Sequence, residues 1–345
     1  MNIAVDAMGG DYAPDVVVQG ALQASCETGE TVTLVGDDRA IREALRGREN
    51  EGAIEVLPCD EYVHMDESPL KAIRSKPGSS IMVAFDLVRQ GRADAVVSAG
   101  NSGATFMAGV LTLGKVEGVE RPALAGIFPA RRGDVVLIDV GANVDCRPLH
   151  LLQFGFMAQA FATACLGMQN PLVGLLSIGE EEEKGNDQVR AAHRLFRASP
   201  LRFKGNVEGR EIFSGEVQII VCDGFVGNVA LKVAEGFSEA MSGMIMKEMM
   251  STLRGRLGLA LGKSGYRRLF ETLDYETYGG APILGINGIG IVCHGGSSSR
   301  AVKNGVKRAA EYVKNGFERK LSVQMAEFQR TPPSAQGVIR KETDV

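Results

Sequence analysis

Three features of the 345-residue chain predict an α/β fold with a mostly parallel, doubly wound sheet. Short apolar runs alternate with helical patterns along most of its length. Several of the runs are apolar without alternation, as in strands covered on both faces. The helical stretches between them carry recognisable start and stop signals.

The runs expected as strands are 3–5, 32–35, 54–57, 95–97, 135–138, 172–176, 219–221 and 289–292. In "SPLKAIRSK" Ser68 stands at an N-cap, with Pro69 at the first helical position. "SSIMVAFDLVRQG" is expected to be helical from Ser79 or Ser80 and to stop at Gly91. "RPLHLLQFGFMAQAFATACLG" is expected to start at Pro148 and end at Gly167. From about 229 to 278 the strand rhythm lapses. "FSEAMSGMIMKEMMSTLRGRLGLALGKSGYRRLF" reads as a long helix, a Gly-rich turn and a second helix, in which Met241, Ile245, Met249, Leu253 and Leu257 form an i+4 stripe. Between Lys247 and Arg268 six basic residues (Lys247, Arg254, Arg256, Lys263, Arg267 and Arg268) face Glu248 alone, in a chain of net charge −4. Residues 1–321 are expected to form one α/β catalytic domain with this helical pair protruding at about 236–275. The stretch 322–345 is expected to be a mobile tail.

Composition narrows the function. With 45% hydrophobic and 23% charged residues the chain can build a full core. Its acidic balance and lack of Trp argue against nucleic acid as a partner. The six cysteines form no C-x-x-C pair and the four histidines show no zinc spacing, so neither a metal nor a disulfide framework is expected, and a cytoplasmic protein is. "MNIAVDAMGG" opens directly on a strand, without the basic flank and apolar run of a signal peptide.

One chemical layout recurs. "IIVCDGFVGNVALK", "AVVSAGNSGATF", "VVLIDVGANVD" and "GIVCHGGSSSRAVK" each place a small polar, Gly-bearing turn after an apolar strand, usually before a helix, and "VDAMGGD" adds a fifth turn. In open α/β sheets ligands sit beyond the carboxyl ends of the strands. Gly permits close backbone approach, and helix N-termini offer N–H groups to anions. Any one turn needs no more than Gly and Asn chemistry to explain it; five together favour an anion pocket. "LLSIGEEEEKGNDQ" contributes Lys184 and Asn186, beside a run of glutamates that suits a solvated face. His294 has a site-like setting in its Gly-Ser turn, while Cys222 and Cys293 read as small core residues. No G-x-G-x-x-G with a following acidic residue is present, "GLALGKS" is one residue short of a Walker A loop and follows a helix, and no G-x-S-x-G elbow occurs.

Read together, "NIAVDAMGGDYAPD", "VSAGNSGATF", "LIDVGANVDCRP", "LSIGEEEEKGN", "VEGREIF", "VCDGFVGNVALK" and "YGGAPILGINGIGIVCHG" resemble the bacterial phosphate acyltransferases of phospholipid synthesis, in collinear order over roughly residues 1–317. The chain departs from that pattern at Gly296, Ser299 and Leu149. The resemblance implies transfer of a fatty acyl group from acyl carrier protein to inorganic phosphate, giving an acyl phosphate for a membrane glycerol-3-phosphate acyltransferase. It also implies an isocitrate/isopropylmalate dehydrogenase-like fold without the dinucleotide chemistry, a homodimer, no cofactor, and peripheral membrane contact.

Such a reaction needs no covalent enzyme intermediate, because bound phosphate is itself the nucleophile. On this reading Lys184, Asn228 and Asp223 carry the chemistry. Gly9, Gly10, Asn101, Ser102, Gly103, Asp139, Asn143, Asn186, Gly224, His294 and Ser297 bind phosphate, and Asp6 and Asp11 support them. Arg254, Arg256, Leu257, Leu259, Leu261 and Lys263 are assigned to the carrier or membrane. The alternatives are a phosphate acetyltransferase-like enzyme using acyl-CoA, a nicotinamide-dependent dehydrogenase on the related fold, and a non-enzymatic membrane scaffold for phospholipid-synthesis enzymes.

Overall fold

The computed structural model describes residues 1–48, 51–266 and 275–330. Positions 267–274 of the expected helical pair, Arg267 and Arg268 among them, and 331–345 of the expected tail lie outside the described residues.

Eleven strands form one sheet. They are β1 (Asn2–Asp6), β2 (Thr31–Gly36), β3 (Ile54–Pro58), β4 (Ala95–Ser98), β5 (Ala123–Ala130), β6 (Gly133–Ile138), β7 (Val173–Leu176), β8 (Phe203–Val207), β9 (Ile219–Val221), β10 (Ala281–Leu284) and β11 (Gly290–Val292). Their order is β3-β2-β1-β4-β11-β10-β5-β6-β9-β7-β8. Alternate residues of β1 feed separate apolar clusters, Ile3 and Val5 on one side and Ala4 on the other, so both faces are covered.

Most pairings are parallel, as expected, but the sheet is mixed. β10 runs antiparallel to both β11 and β5, and β5 antiparallel to β6. The blocks β3-β2-β1-β4-β11 and β6-β9-β7-β8 therefore point in opposite directions. Their register decides where the site lies. β10 pairs β11 through Ala281 and Pro282, then pairs β5 through Ile283 and Leu284. β5 pairs β6 from Ala125 onward. The last residue of β11, Val292, lies opposite Ala281, and the last of β6, Ile138, lies opposite Ala125, beside the Leu124 that meets Ile283. Measured along the strands, the two carboxyl ends thus come level within about one residue step, roughly 3 Å, with β10 and β5 between them at the central seam.

The seam strands β5 and β10, together with β8, are absent from the sequence expectation. β5 ("ALAGIFPA") and β10 ("APIL") mix Ala, Gly and Pro into their runs, which weakens the strand signal.

The helices that shape the site are α3 (Pro69–Ser75), α4 (Ser80–Arg89), α5 (Ser102–Leu113), α6 (Pro148–Cys165), α7 (Asp187–Arg197), α8 (Gly224–Ser251), α9 (Leu253–Leu261), α10 (Ser299–Lys314) and α11 (Phe317–Gln329), with α1 (Asp15–Thr28) and α2 (Asp38–Leu45) nearer the N-terminus. Two expectations change. The break in the helical pair falls at Thr252, whose Oγ1 accepts from Gly255 N, so Gly255 and Gly258 lie inside α9 rather than in a turn. The stretch 322–329 belongs to α11, because Leu321 and Met325 are buried against α6 and its neighbours.

Candidate active site

On the first block, the turns after β1, β4 and β11 stack on one another. A Cβ at Gly9 would stand 2.6 Å from Asp6 Oδ2 and 2.7 Å from Gly100 N, so only glycine lets these two turns touch. Asp11 N donates to Gly295 O at 2.9 Å, tying the third turn in. Asp6 beneath them is buried. Its carboxylate accepts from Ser80 Oγ at 2.6 Å and Ser98 Oγ at 2.8 Å, and burial raises its pKa above the usual range despite these donors. Asn101 Oδ1 caps α5 by accepting from Ala104 N, while its Nδ2 donates to the carbonyls of Met65 and Glu67.

On the second block, the turn after β6 wraps round one carboxylate. Asp139 is fully buried and accepts from the backbone N–H groups of Leu124, Gly141, Ala142 and Asn143 and from Asn143 Nδ2. Asn143 Nδ2 also donates to Pro122 O, and Asn143 O accepts from Gly224 N at 2.7 Å. Asp223 caps α8, accepting from Val226 N at 2.8 Å. Gly227 then passes so close to the Asp139 carbonyl that no side chain fits between them.

Between the two sets of turns lies a cavity of about 330 Å³ at the seam. Ser102 from α5, His294 and Ser297 from the turn after β11, and Gly141 and Asn228 from the second block reach its wall. So do Lys232 and Glu235, further along α8, and Glu276 and Tyr278 from a short 3-10 turn (Tyr275–Tyr278). Leu124, Ile127, Val140, Leu231 and Val292 make it apolar elsewhere. His294 Nδ1 accepts from Gly296 N, which places the proton of the neutral ring on Nε2. Ser297 Oγ is buried and has no hydrogen-bond partner among the described residues. Glu276 is held by Ser298, whose N and Oγ both donate to it. Cys293, on the same wall, donates to Gly279 O, and burial pushes its thiol up to about 12, which removes it as a thiolate nucleophile.

Of the residues expected to bind or act, Ser102, Asn228, His294 and Ser297 line this cavity. Gly9, Gly10, Gly103 and Gly224 hold the turns together at close approach. The side chains of Asn101, Asp139, Asn143 and Asp223 hydrogen-bond to backbone groups and so shape the loops. Asp6 supports from beneath, and Asp11 is exposed outside the cavity lining. Lys184 and Asn186 stand elsewhere: both are exposed, neither lines the cavity, and Asn186 Oδ1 caps α7 through Val189 N. The reason is strand order. β7, which leads to them, lies one strand farther from the seam than β9, which leads to α8. Lys232 and Glu235 were missed, although Asn228, Lys232 and Glu235 recur at i, i+4 and i+7, one face of a helix already legible from Val229 onward.

Among the described residues no group of three or more His, Cys, Asp or Glu could hold a metal ion, and no helix is long and apolar enough to cross a membrane.

A family model described as a fatty acid synthesis protein matches residues 1–320. A phosphate acyltransferase of Nitratidesulfovibrio vulgaris is 51% identical over 313 residues, covering 90% of this chain and 91% of the relative. Another, from Pelobacter propionicus, is 45% identical over 328 residues, covering 95% of each. A solved phosphotransacetylase from Streptococcus pyogenes superposes with a TM-score of 0.61 at 16% identity, covering 91% of this chain and 94% of that one. A 4-hydroxythreonine-4-phosphate dehydrogenase from Klebsiella pneumoniae gives 0.52 at 14% identity, covering 91% and 99%. At such identities the two solved structures establish a shared mixed α/β fold and nothing more. The extent of the family match and the identity to curated relatives lead to one conclusion: the chain belongs to the fatty acid synthesis protein family, as a bacterial phosphate acyltransferase.

Proposed function

We propose that this chain transfers a fatty acyl group from the thioester of an acyl carrier protein to inorganic phosphate, in the cavity at the seam, by direct attack of the bound anion. The observation that carries the reading is Ser297 Oγ, a hydroxyl buried on the cavity wall without a protein partner. A buried donor left unmet costs about 1–3 kcal/mol, so its position makes sense when an anion fills the cavity. It stands just ahead of α10, a 16-residue helix whose first turn presents N–H groups to negative charge. His294 Nε2–H, Asn228 and Lys232 complete a set of donors around one tetrahedral anion. Holding phosphate there against the thioester carbon supplies much of the catalysis, since positioning alone is worth ~7–11 kcal/mol. The finer isocitrate/isopropylmalate dehydrogenase-like classification suits a seam between oppositely directed blocks.

The carrier and any anionic membrane surface are assigned to the outer part of α8 and to α9. No residue of α9 is buried, and Leu253, Leu257 and Leu261 stand exposed among Arg254, Arg256 and Lys263. The sheet-proximal part of α8 turns its other face, Val226, Val233 and Phe237, toward Ile212 and Phe213 across an apolar groove of about 490 Å³. A second copy of this chain is the occupant we assign to that face, as exposed apolar surface on this scale calls for cover.

Ser297→Ala tests the phosphate site. Because the hydroxyl has no protein partner, melting temperature without phosphate should hold or rise, while the KM for phosphate rises ~10–100-fold for a lost hydrogen bond to a charged group, ~1.5–3 kcal/mol. An unchanged phosphate KM would remove the anion from this wall.

A further inference from the structure

Phosphate transfer to a thioester has a proton to move. Hydrogen phosphate attacks the carbonyl carbon, a C–O bond forms, the C–S bond breaks, and the hydrogen carried by phosphate ends on the departing sulfur. Atoms and charge balance without any outside acid, provided that some group carries that one proton across the site.

We propose that Glu235 is that carrier: its carboxylate takes the hydrogen of the attacking phosphate and delivers it to the thiolate as the C–S bond breaks. The inference rests on the reading of the seam cavity as the place where phosphate meets thioester.

Geometry favours Glu235 over the other carboxylates. Asp6, Asp139 and Asp223 are bound to backbone or hydroxyl donors away from the cavity, and Glu276 is held by two donors from Ser298. Glu235 lines the cavity, is half-buried, and has no hydrogen bond or ion pair among the described residues. It stands on the α8 face that carries Asn228 and Lys232, about 10 Å along the helix from Asn228. This sets it toward the outer part of α8, which the reading above assigns to the carrier.

The groups that share the cavity wall with it are Lys232 on its own helix, His294 and Ser297 from the turn after β11, Glu276 and Tyr278 from the 3-10 turn, and Ser102 from α5. Burial pushes its carboxyl above the ordinary range, with His294 and Lys232 opposing. A carboxyl moved toward neutrality takes and gives up a proton more evenly, as a shuttle must.

The test compares the full-length wild type with Glu235→Gln on two thioesters, a long-chain acyl-acyl carrier protein and an acyl 4-nitrothiophenol ester. The aryl thiolate leaves without a proton. Acyl phosphate is trapped with hydroxylamine. Glu235→Gln should lower kcat ~100-fold or more on the carrier substrate, in the range for lost acid–base catalysis. On the aryl ester the loss should be less than about 10-fold, with phosphate KM unchanged on both. Equal losses on the two esters, or no loss on the carrier substrate, would overturn the proposal. Glu235→Asp should keep part of the carrier-dependent rate. It takes over the comparison if circular dichroism shows the Gln variant unfolded, and equal losses there overturn the proposal in the same way. If the wild type itself makes no acyl phosphate, the phosphate–thioester reading fails first and Glu235 loses its role with it.

Discussion

Gly227 is where α8 meets the loop that ends β6, and replacing it with Ala gives the sharpest test of how the cavity is held. A Cβ there would overlap the Asp139 carbonyl oxygen and stand 2.9 Å from both the carbonyl carbon and Cys222 Sγ. Carbon contacts settle at ~3.5–4.0 Å, and the overlapped oxygen is the worst offender, so helix and loop must part by roughly 1.5 Å. The obstacle is backbone, with no flexible side chain to yield. Overpacking of this kind costs ~1–3 kcal/mol, offset by the ~1 kcal/mol that Ala gains over Gly within a helix. With backbone as the obstacle the upper end applies, so the net loss is about 2 kcal/mol, or roughly 3 °C in melting temperature at ~1.4 °C per kcal/mol for a chain this long. Activity should suffer more, because Asn228 rides on the next residue and a 1 Å displacement can cost ~100-fold. Gly236, on the same helix, meets nothing within 4 Å, so Gly236→Ala should gain about 1 kcal/mol and keep full activity. Thermal unfolding by circular dichroism and phosphate-dependent thioester consumption read both effects. A Gly227→Ala protein as stable and as active as Gly236→Ala would refute the packing argument.

Other outcomes follow from the same geometry. Lys232→Ala should raise the phosphate KM at least ~10-fold, in line with a lost hydrogen bond to a charged group, whereas Lys184→Ala, exposed and outside the cavity, should leave it unchanged. Steady-state kinetics at varied phosphate would expose the reverse ranking. For Asp6, the folded carboxyl holds its proton at pH values where the unfolded one, near 3.8, has lost it. Wild-type stability should therefore decline as pH rises through 3.8 toward the raised folded value, and Asp6→Asn should lack that decline. Urea unfolding at a series of pH values would show parallel profiles if Asp6 were not desolvated. Reversing Arg254 and Arg256 to Glu should weaken binding to acyl carrier protein and to anionic vesicles, most strongly at low salt. Binding that survives the double reversal would move the docking surface off α9.

Much of the site's local chemistry was readable along the chain. Pro69 and Pro148 mark helix starts where the structure has them, and the polar turns after β4, β6, β9 and β11 open as expected. What the chain alone does not show is how many polar side chains in such turns are engaged within the protein. Asn101, Asn143, Asn186 and Asp223 satisfy helix N-termini or neighbouring carbonyls, a demand that exists at every strand–helix turn whether or not a ligand is bound. Lys232 and Glu235 went unread because they lie about two and three turns into α8, past the polar motif, where a charged residue looks like ordinary helix surface.

By itself the sequence determined the α/β class, the order of strands and helices in most of the chain, the helix starts at Pro69 and Pro148, and, through its collinear motifs, the family. Those properties depend on neighbours within a few residues or on the motifs themselves. Only the tertiary structure decided which turns share a cavity. That choice rests on the register of β10 between β11 and β5, a pairing between segments more than 150 residues apart, which sets two oppositely directed blocks end against end. It brought Ser297 and Asn228 to one wall and left Lys184 outside, because hydrogen-bond register across a sheet is fixed by distant packing and leaves no mark on the local pattern of residues.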